Sequence, residues 1–390
     1  MFRISRLHEV LHPLSRGRFD DCAKGCGADR HSKGFGSWQQ MVAMIYGHLS
    51  GARSLREIET GFNSQIAHHY HLGARAVRRS TLAEANAKRN VEVFAQTANA
   101  LMAQTHRALR REVRPLLYLL DSTPISLMGP GFDEWAEPRR TRNTQGLKLH
   151  VMYELHQAAP TWQSLTAANI NDLTEGMKAP IQMGATYVFD KGYCDYNWWL
   201  SLEERGACFV TRFKHNASLK VLEERPVPSE DQKTVLADQT VCFANRHPGG
   251  GRYNHYKQPL RRVLVAREGN ERPLVLATND LTRTAAEIAR LYKDRWQVEL
   301  FFKWLKQHLK IKRFLGRSEN AVRIQILCAL ISYLLVALYR NAHATTRSMR
   351  DMLVEIRATL FQRPSLDIER YRRRQERIHE WHLKQPALFA

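Results

Sequence analysis

Leu116-Leu117-Tyr118-Leu119-Leu120-Asp121-Ser122-Thr123 is the stretch that decides the fold. A continuous apolar run that stops abruptly at a carboxylate reads as a buried central strand whose C-terminal end opens onto a site. Thr186 to Phe189 repeats the pattern and is followed by Asp190. Leu147 to Leu155 alternates and reads as the neighbour of the first strand. If the strands that end in Asp121 and Asp190 are neighbours in one sheet, the two carboxylates meet. A lone Asp at a strand end is more often a turn or cap residue, so a third acid is needed to make the pattern informative.

That acid lies downstream. From Ala285 to Lys310 the sequence has helical spacing, and Tyr292, Arg295, Glu299, Lys303 and Lys306 fall within an arc of roughly 80° at about 100° per residue. Leu291, Val298, Phe301, Phe302, Leu305 and Leu309 form an apolar stripe beside them that packs the helix down. One carboxylate therefore stands on a face that is otherwise cationic and phenolic. A catalytic acid and a salt-bridged surface glutamate both fit this arrangement.

The chain has 390 residues, with 59 Lys plus Arg against 38 Asp plus Glu, a formal charge of +21. With 44% hydrophobic residues, 21 Gly and 14 Pro, it can bury a large core and is neither collagen-like nor broadly disordered. The excess of cations points to a polyanionic partner, because Lys and Arg displace counterions from phosphates. Anionic lipid is the competing partner, but the most apolar stretch, Ile324 to Tyr339, contains Gln325 and Ser332 and lies between Arg323 and Arg340. It is short of the roughly 20 residues a span needs and reads as a buried helix. Without an apolar run near Met1, the expectation is a cytoplasmic, nucleoid-associated protein with no membrane partner. Six Cys do not make a disulfide framework. Cys22 and Cys26, with His31 nearby, could begin a zinc site or be two free thiols in a loop.

Several strands are expected between Asp190 and the Glu299 helix, at Cys208 to Phe213, Thr240 to Ala244, Arg262 to Ala266 and Leu274 to Thr278. The first 110 residues read as helical. One helix from Trp38 to Leu49 ends at Ser50-Gly51, and another starts at Ser54 with Glu57 as capping-box partner. A long one starts at Thr81, with Glu84 as its partner, and runs to about Arg110. Arg75, Arg78, Arg79 and Ser80 lie just ahead of this last start, with Lys88 and Arg89 in its first turns. Free N–H groups and cations there suit a phosphate, although a solvated basic face has the same composition.

Tyr292-x2-Arg295-x3-Glu299-x6-Lys306 resembles the Tyr-Arg-Glu-Lys signature of DDE-type insertion-sequence transposases. Asp121-Ser122-Thr123 is similar to their first Asp motif and Asp190-Lys191-Gly192-Tyr193 to the second. The long interval between Asp190 and Glu299 is where that family places a β-strand insertion. Ser54-Leu-Arg-Glu-Ile and Arg79-Ser-Thr-Leu-x-x-Ala-Asn86 resemble the helical leader of one branch. The resemblance implies an α/β fold with an RNase H-like mixed sheet flanked by helices, an all-β insertion and an N-terminal helical domain. The corresponding divisions are 1–110 for a helical DNA-binding domain, 111–206 and 281–345 for the two parts of the core, 207–280 for the insertion and 346–390 for a basic helical tail.

The implied activity is metal-dependent cleavage and strand transfer at insertion-sequence ends, that is, cut-and-paste transposition. Such chemistry needs an activated water or hydroxyl and a stabilised leaving oxygen, which two divalent metals supply. Hard Mg²⁺ takes oxygen ligands, with Mn²⁺ as its substitute, so Asp121 would bridge two ions and Asp190 and Glu299 would hold one each. Tyr292, Arg295, Lys303 and Lys306 would grip phosphates, Arg295 as a planar fork and Lys306 as a point charge. The expected partners are terminal inverted repeats, target DNA and a second copy of the chain in a synaptic complex, with an interface in the helices from Thr346 onward.

Other residues are weighed alongside. Lys148 is favoured as a DNA contact and His150 as structural, while Arg139, Arg140 and Arg142 precede the same strand. Trp296 packs in the core or stacks on DNA. Asp133, Glu134, Glu137 and Asp172 rank as surface acids, and Phe243, Tyr253 and Tyr256 are the candidates for receiving a flipped base. The basic tail from Arg370 to Arg377 is either an accessory DNA contact or a solvated end. Two further functions share these features: an RNase H-fold nuclease that cuts without joining, and a non-enzymatic DNA-binding regulator.

Overall fold

Strand β1 (Leu117–Ser126) is the third strand from one edge of a nine-stranded sheet. The structure, a computed structural model, describes residues 5–30, 32, 34–110, 115–136, 145–248, 251–267, 269–309, 311, 313–362, 374 and 377. On one side β1 pairs antiparallel with β2 (Gly146–Glu154), which pairs antiparallel with β3 (Ala159–Ala167). On the other it runs parallel to β4 (Thr186–Phe189), itself parallel to β5 (Cys208–Arg212). The order β3-β2-β1-β4-β5, with only β2 reversed among the inner strands, is the RNase H-like mixed sheet. The remaining strands continue it without a break. β5 pairs antiparallel with β9 (Asn270–Thr278), followed by β8 (Leu260–Arg267), β7 (Val235–Phe243) and β6 (Leu219–Arg225).

Alternation along β1 sends Leu117 and Leu119 to one apolar core and Tyr118 and Leu120 to the other. The first core is closed by helices. These are α1 (Arg6–Leu11), α2 (Arg16–Gly25), α3 (Ser37–Ser50), α4 (Leu55–Asn63), α5 (His69–Leu72), α6 (Arg79–Lys88) and α7 (Glu92–Leu109) from the N-terminal stretch. Against the other face lie α8 (Asp172–Gly176) and α9 (Tyr196–Glu204). After the strands come α10 (Ala285–Asp294), α11 (Trp296–His308), α12 (Glu319–Ala342) and α13 (Met349–Thr359).

Helix α12 organises the first core. It packs on α3, α6, α7 and β3, so the N-terminal helices and the sheet share one continuous apolar interior. At 24 residues it is long and apolar enough to cross a membrane, which corrects the shorter span read from the sequence, yet 94% of its apolar window is buried inside the chain. His48 of α3 ties it in place, with its two ring nitrogens 2.9 Å and 3.1 Å from the carbonyls of Leu309 and Gln325.

Four local expectations change. β1 runs five residues past Asp121, because β2 continues to pair with it as far as Ser126; it is the parallel ladder to β4 that ends at Leu120. β2 is buried at all nine positions, since its polar alternate residues are absorbed by a hydrogen-bonded network beneath α8. The helix expected at 285–310 breaks at Arg295, where N–H groups bond three residues back, from Arg295 to Tyr292 and from Val298 to Arg295. The long helix expected from Thr81 is two, α6 and α7, and α6 begins at Arg79 with no side-chain cap. The boundaries at Ser50-Gly51 and Ser54 are as read, with Gly51 at φ 78° and the Ser54 hydroxyl accepting from the Glu57 N–H.

Candidate active site

Because β4 ends where β1 continues, Asp121 and Asp190 come out on the same side of the sheet, facing α10 and α11. Tyr292, Arg295 and Glu299 descend on them from that side. The Tyr292 hydroxyl lies 3.2 Å from Asp190 Oδ1. The Arg295 guanidinium reaches Asp121 Oδ2 at 3.3 Å with one nitrogen and Glu299 Oε1 at 2.7 Å with another. Lys306 Nζ donates to Thr123 Oγ1 at 2.5 Å and to the Pro124 carbonyl at 3.1 Å. The break at Arg295 leaves the side chains of Tyr292, Arg295, Glu299 and Lys306 on the face inferred from their spacing.

Arg212 is a member that sequence reasoning missed. It ends β5 as Asp190 follows β4, and its guanidinium is 2.7 Å from Asp190 Oδ1 and 5.9 Å from the centre of the Tyr292 ring. The signal was partial: Cys208-Phe-Val-Thr is a third apolar run that reaches a charge at Arg212, but Phe213 follows it and prolongs the expected strand.

The electrostatics of the two aspartates differ. Burial pushes the Asp121 carboxyl up to about 7, against the Ser122 N–H and Arg295, which favour the anion; Glu299 and Asp190 add to the rise. Burial also acts on Asp190, but the Lys191 N–H and Arg212 outweigh it and hold this carboxyl below the usual range. Burial pushes the Tyr292 phenol up to about 12, so it stays a neutral donor.

Asp121, Ser122, Thr123, Glu299, Phe302, Lys303, Lys306 and Gln307 line a groove open to solvent. Lys303 is exposed on its wall. Trp296 is 56% exposed beside Arg295, so core packing does not account for it. No three His, Cys, Asp or Glu side chains among the described residues stand close enough together to enclose a metal ion as placed, and this includes the neighbourhood of Cys22 and Cys26; His31 lies outside the described residues. The acids do fit a hard cation in chemistry. They are all oxygen donors, and burial, with Glu299 and Asp190 nearby, disfavours the Asp121 anion, a cost that a divalent ion would offset.

Other expected residues fall elsewhere. Lys148, expected as a DNA contact, is buried instead. It is 1% exposed, donates to the Ile170 carbonyl at 2.6 Å and pairs with Asp172 at 3.0 Å, because its strand is covered on both faces. His150 is structural, buried against Thr166. Asp172 is not a surface acid but the partner of Ser122 and Lys148. Asp133 and Glu134 are exposed, and Glu137, Arg139, Arg140 and Arg142 lie outside the described residues.

Arg78 and Arg79 are exposed with Arg75 and Ser80 at the start of α6. Lys88 is engaged by Glu84 at 2.8 Å, and Arg89 is spent internally on Asp29 and the carbonyls of Ala28 and Phe35. Of the aromatic candidates, Tyr253 is 45% exposed, Tyr256 is buried and Phe243 packs on Tyr196. The apolar face of α13, Met352, Leu353 and Ile356, is buried within the same chain. Arg370, Arg372 and Arg373 lie outside the described residues, and Arg374 and Arg377 are exposed.

The sequence matches the family model described as "Transposase DDE domain" over residues 114–335, and a domain of unknown function over residues 3–75. It is 44% identical over 267 residues to "Putative transposase y4zB" of Sinorhizobium fredii, covering 68% of this chain and 72% of that protein. It is 28% identical over 238 residues to "Probable transposase for insertion sequence element IS5377" of Geobacillus stearothermophilus, covering 60% of each. Against "Putative transposase for insertion sequence element IS4SA" of Synechocystis the identity is 25% over 296 residues, covering 73% of this chain and 79% of the other. Among solved structures, the piggyBac transposase synaptic complex with hairpin DNA aligns with 98% of this chain and 82% of its own, at a TM-score of 0.48 and 10% identity.

Proposed function

Since the chain belongs to the DDE transposase family and is an insertion-sequence transposase, a DNA-cleaving and strand-joining enzyme whose family uses divalent metal, we propose that it works by cut-and-paste transposition with Asp121, Asp190 and Glu299 as its catalytic acids. The observation that carries this reading is the convergence of the three acids on one side of the sheet, with Arg295 spanning Asp121 and Glu299. Asp121, Asp190 and Glu299 would hold two Mg²⁺, or Mn²⁺ in its place, which supply an activated nucleophile and a stabilised leaving oxygen.

The chain's own groups do the rest. Arg295 neutralises Asp121 and Glu299, and its planar fork is of the kind that would grip a phosphate brought to these acids. Arg212 and Tyr292 fix Asp190 from two sides, and Arg212 with the Lys191 N–H keeps it ionised. Lys306 pins the end of β1 at Thr123 and Pro124, and Lys303 offers its ammonium to the DNA backbone along the groove. Arg78 and Arg79 are assigned to the terminal inverted repeats, within a DNA-binding unit at 1–110. The remaining divisions are 111–206 and 281–345 for the core, 207–280 for the insertion, of which β5 is to be counted with the core sheet, and 346–390 for the tail. Two copies would pair the ends in a synaptic complex on nucleoid DNA.

The test is strand transfer by the full chain, on a fragment bearing the element's own inverted repeats, with Mg²⁺ or Mn²⁺. Asp121→Ala, Asp190→Ala and Glu299→Ala are each expected to abolish both cutting and joining. Near-normal activity in any one removes that residue from the catalytic set, and cutting without joining in the wild type refutes transposition.

A further inference from the structure

Asp121 is held from behind. Alternation places its side chain toward α11 and that of Ser122 on the opposite face, under α8. There the Ser122 hydroxyl donates to Asp172 Oδ1 at 2.6 Å, while the Ser122 backbone N–H donates to Asp121 Oδ1 at 2.8 Å. One residue thus connects the two carboxylates across the thickness of the sheet.

Asp172 is fixed in turn. Lys148 Nζ lies 3.0 Å from the same Oδ1 and donates to the Ile170 carbonyl. His150 Nδ1 stands 3.8 Å from that oxygen, with Nε2 against Thr166 Oγ1 at 2.9 Å. The neighbouring acid Glu175 is engaged elsewhere, by Ser164 and Lys178. Tyr193, from the second Asp motif, places a buried hydroxyl among Ser122, Asp121 and Asp172.

Packing alone does not explain this group. A buried ammonium–carboxylate pair rarely adds stability over apolar residues of the same size. Asp172 is nonetheless held at short range by both Ser122 and Lys148, and a carboxylate bonded in this way inside the protein is rigid. Carboxylates that bind metal depend on partners of this kind to fix their orientation. We infer that Asp172 is a positioning residue for Asp121: acting through Ser122, with its charge balanced by Lys148, it holds the Asp121 carboxylate in the attitude that receives metal. The inference rests on Asp121 being a metal ligand.

The experiment titrates Mn²⁺ alone into the full-length protein, following free ion by electron paramagnetic resonance, with thermal unfolding measured in parallel. Ser122→Ala cuts the link and leaves the Lys148–Asp172 pair in place. Asp172→Leu combined with Lys148→Met removes the pair without stranding either charge. Both are expected to weaken Mn²⁺ binding about 10-fold, the lower end for lost outer partners of a ligand, while unfolding as cooperatively as the wild type. Asp121→Ala is expected to lose the site. Wild-type binding by both network variants, with Asp121→Ala defective, overturns the positioning role and leaves the ligand assignment intact. Wild-type binding by Asp121→Ala overturns both.

Discussion

Arg212 and Asp190, at the ends of adjacent parallel strands, face each other across 2.7 Å. The pair is partly open to solvent, with 24% and 36% of the two side chains exposed, so its worth to folding is small and its effect on Asp190 is the larger matter. Arg212→Ala should lower cleavage roughly 10- to 100-fold while leaving the melting temperature nearly unchanged. Single-turnover cleavage at saturating Mg²⁺ checks this, and a rate within twofold of wild type rejects it.

Asp121 gives a pH signature without metal. Its carboxyl is raised by burial to about 7, so between its unfolded value near 4 and about 7 the native state holds more protons than the unfolded chain. Stability therefore falls as pH rises through that window. Asp121→Asn mimics the protonated group. In chelator it should match the wild type near pH 4 and become progressively more stable than it toward pH 7.5. Melting temperatures that track each other across the range count against the shifted carboxyl.

Lys303 separates phosphate binding from structure. It is exposed on the groove wall, whereas Lys306 also secures β1. Lys303→Ala should reduce the slope of log affinity against log salt by about 0.9 for a single lost phosphate contact, with no change in thermal stability. Filter binding from low to moderate salt measures the slope, and an unaltered value removes Lys303 from the interface.

Gly176 tests how closely α8 must approach the sheet. A methyl group there would stand 2.7 Å from the Tyr193 ring and 3.1 Å from Leu120. Both neighbours are buried and cannot swing clear. Gly176→Ala should destabilise by about 1–3 kcal/mol through overpacking and should loosen Asp172, four residues earlier on the same helix. Denaturant unfolding settles the first part, and a wild-type midpoint argues against so close an approach of α8 to the sheet.

The convergence of Asp121, Asp190 and Glu299 was legible in the sequence because the two aspartates follow apolar runs and because Glu299 shares a helical face with Tyr292, Arg295 and Lys306. Periodicity survives the break at Arg295, since a single tightened turn barely rotates the face. What escaped depends on contacts between distant segments. Asp172 sits in a polar stretch whose only local message is a turn, and Lys148 looked solvent-facing because alternation does not reveal that α8 covers the second face. β3 and β6 went unread, with β6 exposed at most positions and β3 carrying Pro160, Gln163 and Ser164. Arg212 called for the same strand-end logic already applied to the aspartates, which Phe213 obscured by prolonging the expected strand.

The unbroken sheet has a consequence for protein engineering. β5 is shared, with β4 on one edge and β9 on the other, so the segment holding β6 to β9 cannot be lifted out as a cassette. Its removal would strip one edge of the strand that carries Arg212 and leave a row of amides and carbonyls open to any passing chain. A minimal catalytic fragment would therefore need a replacement edge strand, and without one its first failure would be insolubility rather than inactivity.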